Sequence, residues 1–188
     1  MSAAGRSSGL RPAVALVALA NARRPRRDRY SHRGRSEEPL DSVEGARGLI
    51  ESLGSSTQIG EDDLPSLSAL ADEASAIASA LSAGRPAPEP ATINHLAMQA
   101  VGHPRLDPGG DGAMRATIAW SYPSAPAELA HRVIEELGHL DPVRLRECGR
   151  AECSLIFYDT TRPGTQRWHA EDPCGWLERQ RRHRNGRG

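Results

Sequence analysis

The stretch Cys148-Gly-Arg-Ala-Glu-Cys153, followed after fifteen residues by His169-Ala-Glu-Asp-Pro-Cys174-Gly175, decides how this chain is read. It holds all three cysteines of the sequence. Three thiols cannot pair off as disulfides. Three thiolates and one imidazole do complete a tetrahedral Cys₃His zinc site, and free buried cysteines are the alternative. Zinc is borderline soft, so it accepts sulfur and nitrogen together and imposes no geometry of its own. Each pair of ligands sits on a short loop, and the connection between the pairs has room for a β-hairpin. Four protein ligands leave no open position for water, so Cys148, Cys153, His169 and Cys174 predict one structural Zn²⁺ rather than a catalytic one. No Gly-rich phosphate loop, HExxH or GxSxG motif accompanies it, and the chain is read as a non-enzyme.

Around these ligands stand Phe157-Tyr158-Asp159-Thr160-Thr161-Arg162, then Arg167-Trp168-His169, then Cys174-Gly175. The arrangement resembles the CGNR zinc-finger family, which closes bacterial proteins carrying an ABATE domain. That family pattern has a cysteine pair, Phe-x-Asp-x-Ser-Arg, Arg-Trp-Cys and Cys-Gly-Asn-Arg. Here His169 stands in place of a cysteine, and Trp176-Leu177 replace the Asn-Arg. The resemblance implies a treble-clef-like or ribbon-like zinc module and a role in stress-induced transcription regulation through DNA. Phe157, Asp159, Arg162, Trp168 and Gly175 match family positions, and no role carries over for the missing Asn-Arg pair.

Working outward, residues 141–188 read as the zinc module. Leu155, Phe157 and Asp159 alternate with Ile156 and Tyr158 as a strand, and Pro163-Gly164 makes a turn. Asp172-Pro173 reads as a helix start with Asp172 as N-cap, which puts Cys174 in the first turn. The helix continues with Arg179, Arg181, Arg182 and Arg184. With Arg167, these are the candidate phosphate-contacting residues, against the alternative of a frayed charged end. Asp159 and Arg162 are expected to bridge the hairpin to the terminal helix or to orient a ligand, or to be a plain surface ion pair. Trp168 is expected to pack the small core.

Upstream, residues 13–140 read as a mainly α-helical, ABATE-like domain. Residues 1–12 are expected to be disordered. The apolar run Ala13–Ala20 is a buried strand or short helix, its length settling neither. Two arginines precede it, as in a signal peptide, but the arginine cluster that follows disfavours export. The segment 23–35 is rich in arginine and reads as a solvated loop or a phosphate-binding arm. Asp41 and Glu44 suggest a capping box for a helix burying Val43, Ala46, Leu49, Ile50 and Leu53. A second helix runs from Leu64 to Gly84, and prolines 86, 88 and 90 form a linker. A third helix takes Ile93 to Val101, and residues 105–120 form a hairpin with one apolar face. Ser124 caps a fourth helix that buries Leu129, Val133, Ile134 and Leu137.

Every basic residue is arginine, a bias that fits the GC-rich codon usage of a bacterium. With only 4% aromatics, the core must be built from Ala, Leu, Ile and Val. Net charge is zero but uneven: residues 1–35 carry nine arginines against one aspartate, and residues 36–140 carry five arginines against sixteen acids. Such asymmetry points to a partner more than to a fold. Thiolate ligands suit a reducing cytoplasm. The leading expectation is therefore a cytoplasmic zinc protein that binds DNA through its C-terminal module. The alternatives are a zinc-stabilised protein-interaction module and a thiol/zinc redox sensor.

Overall fold

The computed structural model describes residues 13–24 and 39–185. The expected disorder of residues 1–12 and most of the arginine-rich segment lie outside them. The apolar run resolves as a helix, α1 (Val14–Ala22), with Ala15, Leu16, Leu19 and Ala20 fully buried. The run is apolar at nearly every position, and most but not all of it lies in the core: Val14 is 46% exposed, and Val17 and Ala18 are partly buried. Four more helices complete the helical part, α2 (Val43–Ser52), α3 (Leu64–Ser82), α4 (Ala91–Ala97) and α5 (Ala125–Leu137), with α3 and α5 packed directly on α1 and α4 packed on α3 and α5. The core is aliphatic, with Leu16, Leu19, Ile50, Leu67, Leu70, Ile93, Leu129 and Val133 among its largest fully buried side chains. No helix among the described residues is long and apolar enough to cross a membrane.

Two glutamates fasten helix starts from a distance. The Glu136 carboxylate on α5 accepts the N–H groups of Ala15 (2.9 Å) and Leu16 (2.8 Å) at the start of α1. Glu73 on α3 accepts those of Thr92 (3.1 Å) and Ile93 (2.6 Å) at the start of α4. Each satisfies backbone donors that a first helical turn leaves open, and each places negative charge at the positive end of a helix.

The structure corrects several local expectations. Ser42, not Asp41, caps α2: it is extended, and its hydroxyl accepts the Gly45 N–H at 3.1 Å. The third helix ends at Ala97, and Val101 already belongs to a strand. That strand, β1 (Val101–Pro108), pairs antiparallel with β2 (Met114–Ser121), Pro104 lying opposite Ile118. Proline is tolerated because β1 is an edge strand, where a missing N–H costs no ladder bond. Ile134 is 39% exposed rather than buried, whereas Ser124 caps α5 as expected through the Ala127 N–H.

A second antiparallel pair, β3 (Leu145–Glu147) and β4 (Ile156–Tyr158), follows α5. Leu145, Ile156 and Tyr158 are buried in the same apolar cluster as the helices. The alternation read for residues 155–159 fails because all three β4 residues are buried. The strand packs against α1 and α3. The chain closes with α6 (Trp176–Asn185).

Candidate metal centre

The β3–β4 hairpin carries the first two ligands in its loop, not in the connection between the ligand pairs where the sequence left room for one. Cys148 follows β3 directly, its N–H donating to Leu155 O at 2.9 Å, and Cys153 N–H donates to Arg150 O at 2.9 Å. The loop therefore folds back on itself and points both sulfurs one way. Gly149 N–H donates to Arg167 O at 2.8 Å, which ties this loop to the segment that delivers His169. A Cβ on Gly149 would stand 3.0 Å from that carbonyl oxygen, so the close approach favours glycine.

The other two ligands arrive on the return path. His169 Nδ1 lies 3.5 Å from Cys153 Sγ. Cys174 stands two residues ahead of α6, within an irregular turn over Glu171–Gly175. Asp172, with φ −106° and ψ 124°, is the one non-helical position in this turn and has the extended backbone of a residue that precedes a helix, so helical backbone resumes at Pro173 and runs into α6, as the Asp172-Pro173 start implied.

One donor atom from each of Cys148, Cys153, His169 and Cys174 lies within 4.8 Å of all the others. Tetrahedral zinc at roughly 2.3 Å from sulfur sets its ligands about 3.8 Å apart, so small adjustments close the set on one ion. The chemistry fits as well as the spacing. Burial first, then the neighbouring Cys148 and Cys174 thiols, push the Cys153 thiol up to about 12. Burial and Cys148 raise Cys174 too. Such a group of sulfurs resists ionisation by itself, and a divalent cation at its centre supplies the missing counter-charge. Arg150, half-buried in the loop between the first two cysteines, holds Glu152 at 3.0 Å and hydrogen-bonds to Cys174. Its charge balances the negative excess of three thiolates around one dication.

Asp159 organises the path between the two halves. It is fully buried and accepts bonds from Thr161 N (2.9 Å), Thr161 Oγ1 (2.5 Å) and Gln166 N (2.8 Å), with Arg146 Nε at 3.8 Å. Burial alone would raise its carboxyl, but these donors and the Arg146 charge outweigh it and hold the group low. Asp159 is therefore a turn-fixing hub, not a surface ion pair and not a bridge to the last helix. Arg162, its expected companion, is exposed. Phe157 is buried beside Asp159 in the chain, and Gly175 is buried beside Cys174. Trp168 is half-buried with its indole N–H enclosed and unpaired, and the Arg167 guanidinium stands 5.7 Å from its ring centroid.

The arginines of α6 are not bare. Arg179 pairs with Glu171, while Arg181 (2.9 Å) and Arg182 (3.6 Å) share the buried Glu178 carboxylate. Arg184 is exposed at the end of the helix. Asn21, read only as the end of the apolar run, and Arg24, read as part of a solvated loop or phosphate-binding arm, instead reach this region from the end of α1. Asn21 bonds the Ile156 backbone, and Arg24 donates to Ser154 O and lies 3.9 Å from Glu147. Nothing in their local sequence separates them from an ordinary helix end.

Three clustered thiols, two of them buried, together with one imidazole form the donor set of a structural zinc module. Residues 144–187 match the CGNR zinc finger family. The match and the four-donor cluster together are consistent with one structural zinc. No curated protein matches the chain.

Proposed function

We propose that this protein is a zinc-dependent DNA-binding regulator whose metal module presents a basic surface to the phosphate backbone. The observation that carries the reading is the attachment of α6 to the metal cluster. Cys174 lies two residues ahead of a helix bearing Arg179, Arg181, Arg182 and Arg184, all exposed. A helix held at its base keeps its charges in a fixed array, which lowers the ordering cost of meeting a phosphate row. The pairs with Glu171 and Glu178 leave the arginine side chains about half exposed, 54% for Arg179 and 48% for Arg181, so donors remain for phosphate oxygens. Arg167 lies on the segment leading to His169 and adds to the set. No base-reading residue is assigned, so binding is expected to depend on backbone charge rather than sequence.

Salt titration of the zinc-loaded full chain on random duplex DNA tests this. Each phosphate contact contributes a slope of about −0.9 in log K against log salt, so Arg181→Ala with Arg182→Ala should flatten the slope by about 2. Absence of any binding at low salt would remove the reading.

One observation favours a second reading, a protein-interaction module. Trp176 stands directly after the ligand turn and is 47% exposed, where the resembled pattern has a polar Asn. An exposed indole on a rigid helix start is a common anchor for a protein partner. Affinity insensitive to salt but abolished by Trp176→Ala would select that reading.

A further inference from the structure

We propose that the β1–β2 hairpin is a self-association surface, on which a second copy of this chain docks face to face. The register places Gly102, Pro104, Leu106 and Pro108 opposite Trp120, Ile118, Ala116 and Met114. Directly opposed residues of an antiparallel pair share a face. One face of the ribbon is therefore apolar at all eight positions. A Cβ at Gly102 would meet Ile118 Cγ2 at 2.9 Å and Trp120 Cζ3 at 3.0 Å, so these two side chains fold across the glycine and level the surface.

This face is open. Leu106 is 65%, Met114 60%, Ile118 56% and Trp120 43% exposed. Within the two strands only Asp107 and Ala119, both on the opposite face, are less than exposed. The ribbon is anchored at its base, where the Trp120 ring centroid lies 4.3 Å from that of His131 of α5 with the rings tilted by 48°, and the Tyr122 hydroxyl lies 2.9 Å from His131 Nδ1. Ile134, one turn along α5 from His131 and itself exposed, extends the apolar surface onto the helix.

The occupant follows from charge and area. The polar face carries Arg105 paired with Asp107 and Arg115 paired with Asp111 at 3.0 Å. These charges cancel locally, so the ribbon offers nothing to select a nucleic acid or a charged peptide. The apolar face amounts to roughly 700 Å² per chain, more than an isolated monomer of ordinary type leaves open. Two such faces meeting across a two-fold axis would bury about 1,400 Å², within the range that supports a stable pair. Such a face can meet its own copy across a two-fold axis, because an isologous contact uses the same patch twice.

Sedimentation equilibrium of the zinc-loaded full chain, without nucleic acid, tests the proposal over about 1–100 μM. The wild type should run at twice 20.3 kDa. Leu106→Glu with Ile118→Glu should return it to the single-chain mass, the dissociation constant rising about 100-fold or more, as loss of two central anchors requires. Both side chains are exposed in the single chain, so unchanged circular dichroism is expected. Val101→Glu, on the opposite face of β1, should leave the mass doubled. A wild type at 20.3 kDa throughout overturns the proposal. So does a pair that survives the double substitution, or a single chain that instead partitions onto phosphatidylcholine vesicles.

Discussion

Asn21, at the end of α1, exchanges two hydrogen bonds with the backbone of Ile156 in β4. Its Nδ2 donates to Ile156 O at 2.8 Å, and Ile156 N donates to its Oδ1 at 2.9 Å. One side chain thus occupies the place a neighbouring strand would take, and it does so 135 residues away in sequence. The contact locks the hairpin that carries Cys148 and Cys153 to the helical core.

Asn21→Ala removes both bonds and leaves a partly buried N–H and C=O unpaired. The expected cost is about 2–4 kcal/mol, from roughly 1–3 per stranded polar group with some relief by water. Zinc stoichiometry should stay at one per chain, because no ligand has moved. Denaturant unfolding with parallel metal analysis checks both. Unchanged stability would mean that the contact is incidental.

Cys153→Ser should abolish tight zinc binding, since structural zinc in small modules is worth roughly 10–16 kcal/mol and three donors hold it far less well. Because Leu145, Ile156 and Tyr158 lie in the helices' own apolar cluster, the loss should also lower the melting temperature of the helical part. Hydrogen exchange read across the chain, with metal content measured on the same sample, provides the check. A variant that keeps one tightly held zinc would refute the ligand assignment.

Asp159→Asn keeps the shape of the side chain but turns one acceptor into a donor facing N–H or O–H groups. A cost of about 1–3 kcal/mol is expected. As residues 159–166 lead towards His169, zinc transfer to a chelator should also speed up. Stopped-flow release with a colorimetric chelator measures this, and an unaltered rate would confine Asp159 to local turn formation.

Glu136 gives a pH signature. Burial pushes its carboxyl above the ordinary 4.5, although the Leu16 and Ala15 amides and Arg132 pull the other way. The folded state therefore binds its proton more tightly than the unfolded chain. Stability from this group is fully present below 4.5 and is lost as pH rises through the folded value. Glu136→Gln should cost about 1–3 kcal/mol by opposing an amide N–H₂ to a backbone N–H. It should also flatten the decline in stability just above pH 4.5. Equal slopes in the two proteins would show that other groups set the pH dependence.

The metal ligands were legible because zinc chemistry acts through residue type and short spacing, and both are properties of the linear chain. Helices α2, α3 and α5 were legible for a similar reason: periodic apolar residues and nearby caps are local. The run Ala13–Ala20 was ambiguous because it is short and apolar at every position, so its sequence displays no periodicity even though Val14 ends up exposed. The place of β3–β4 was misjudged because a pair of three-residue strands has almost no pattern of its own. Its partner strands, and the Asn21 contact that fixes it, come from packing.

What the sequence determined by itself was a metal cluster and a set of amphipathic helices, since donor identity and apolar spacing are encoded within a few residues. Only the tertiary structure decided that Asp159 is a buried hub and Arg162 is not its partner. It alone placed Arg179 of α6 beside Glu171, and left the apolar face of β1–β2 uncovered. Those outcomes depend on which surfaces meet across long stretches of chain, and burial is a property of the assembled surfaces rather than of any one segment.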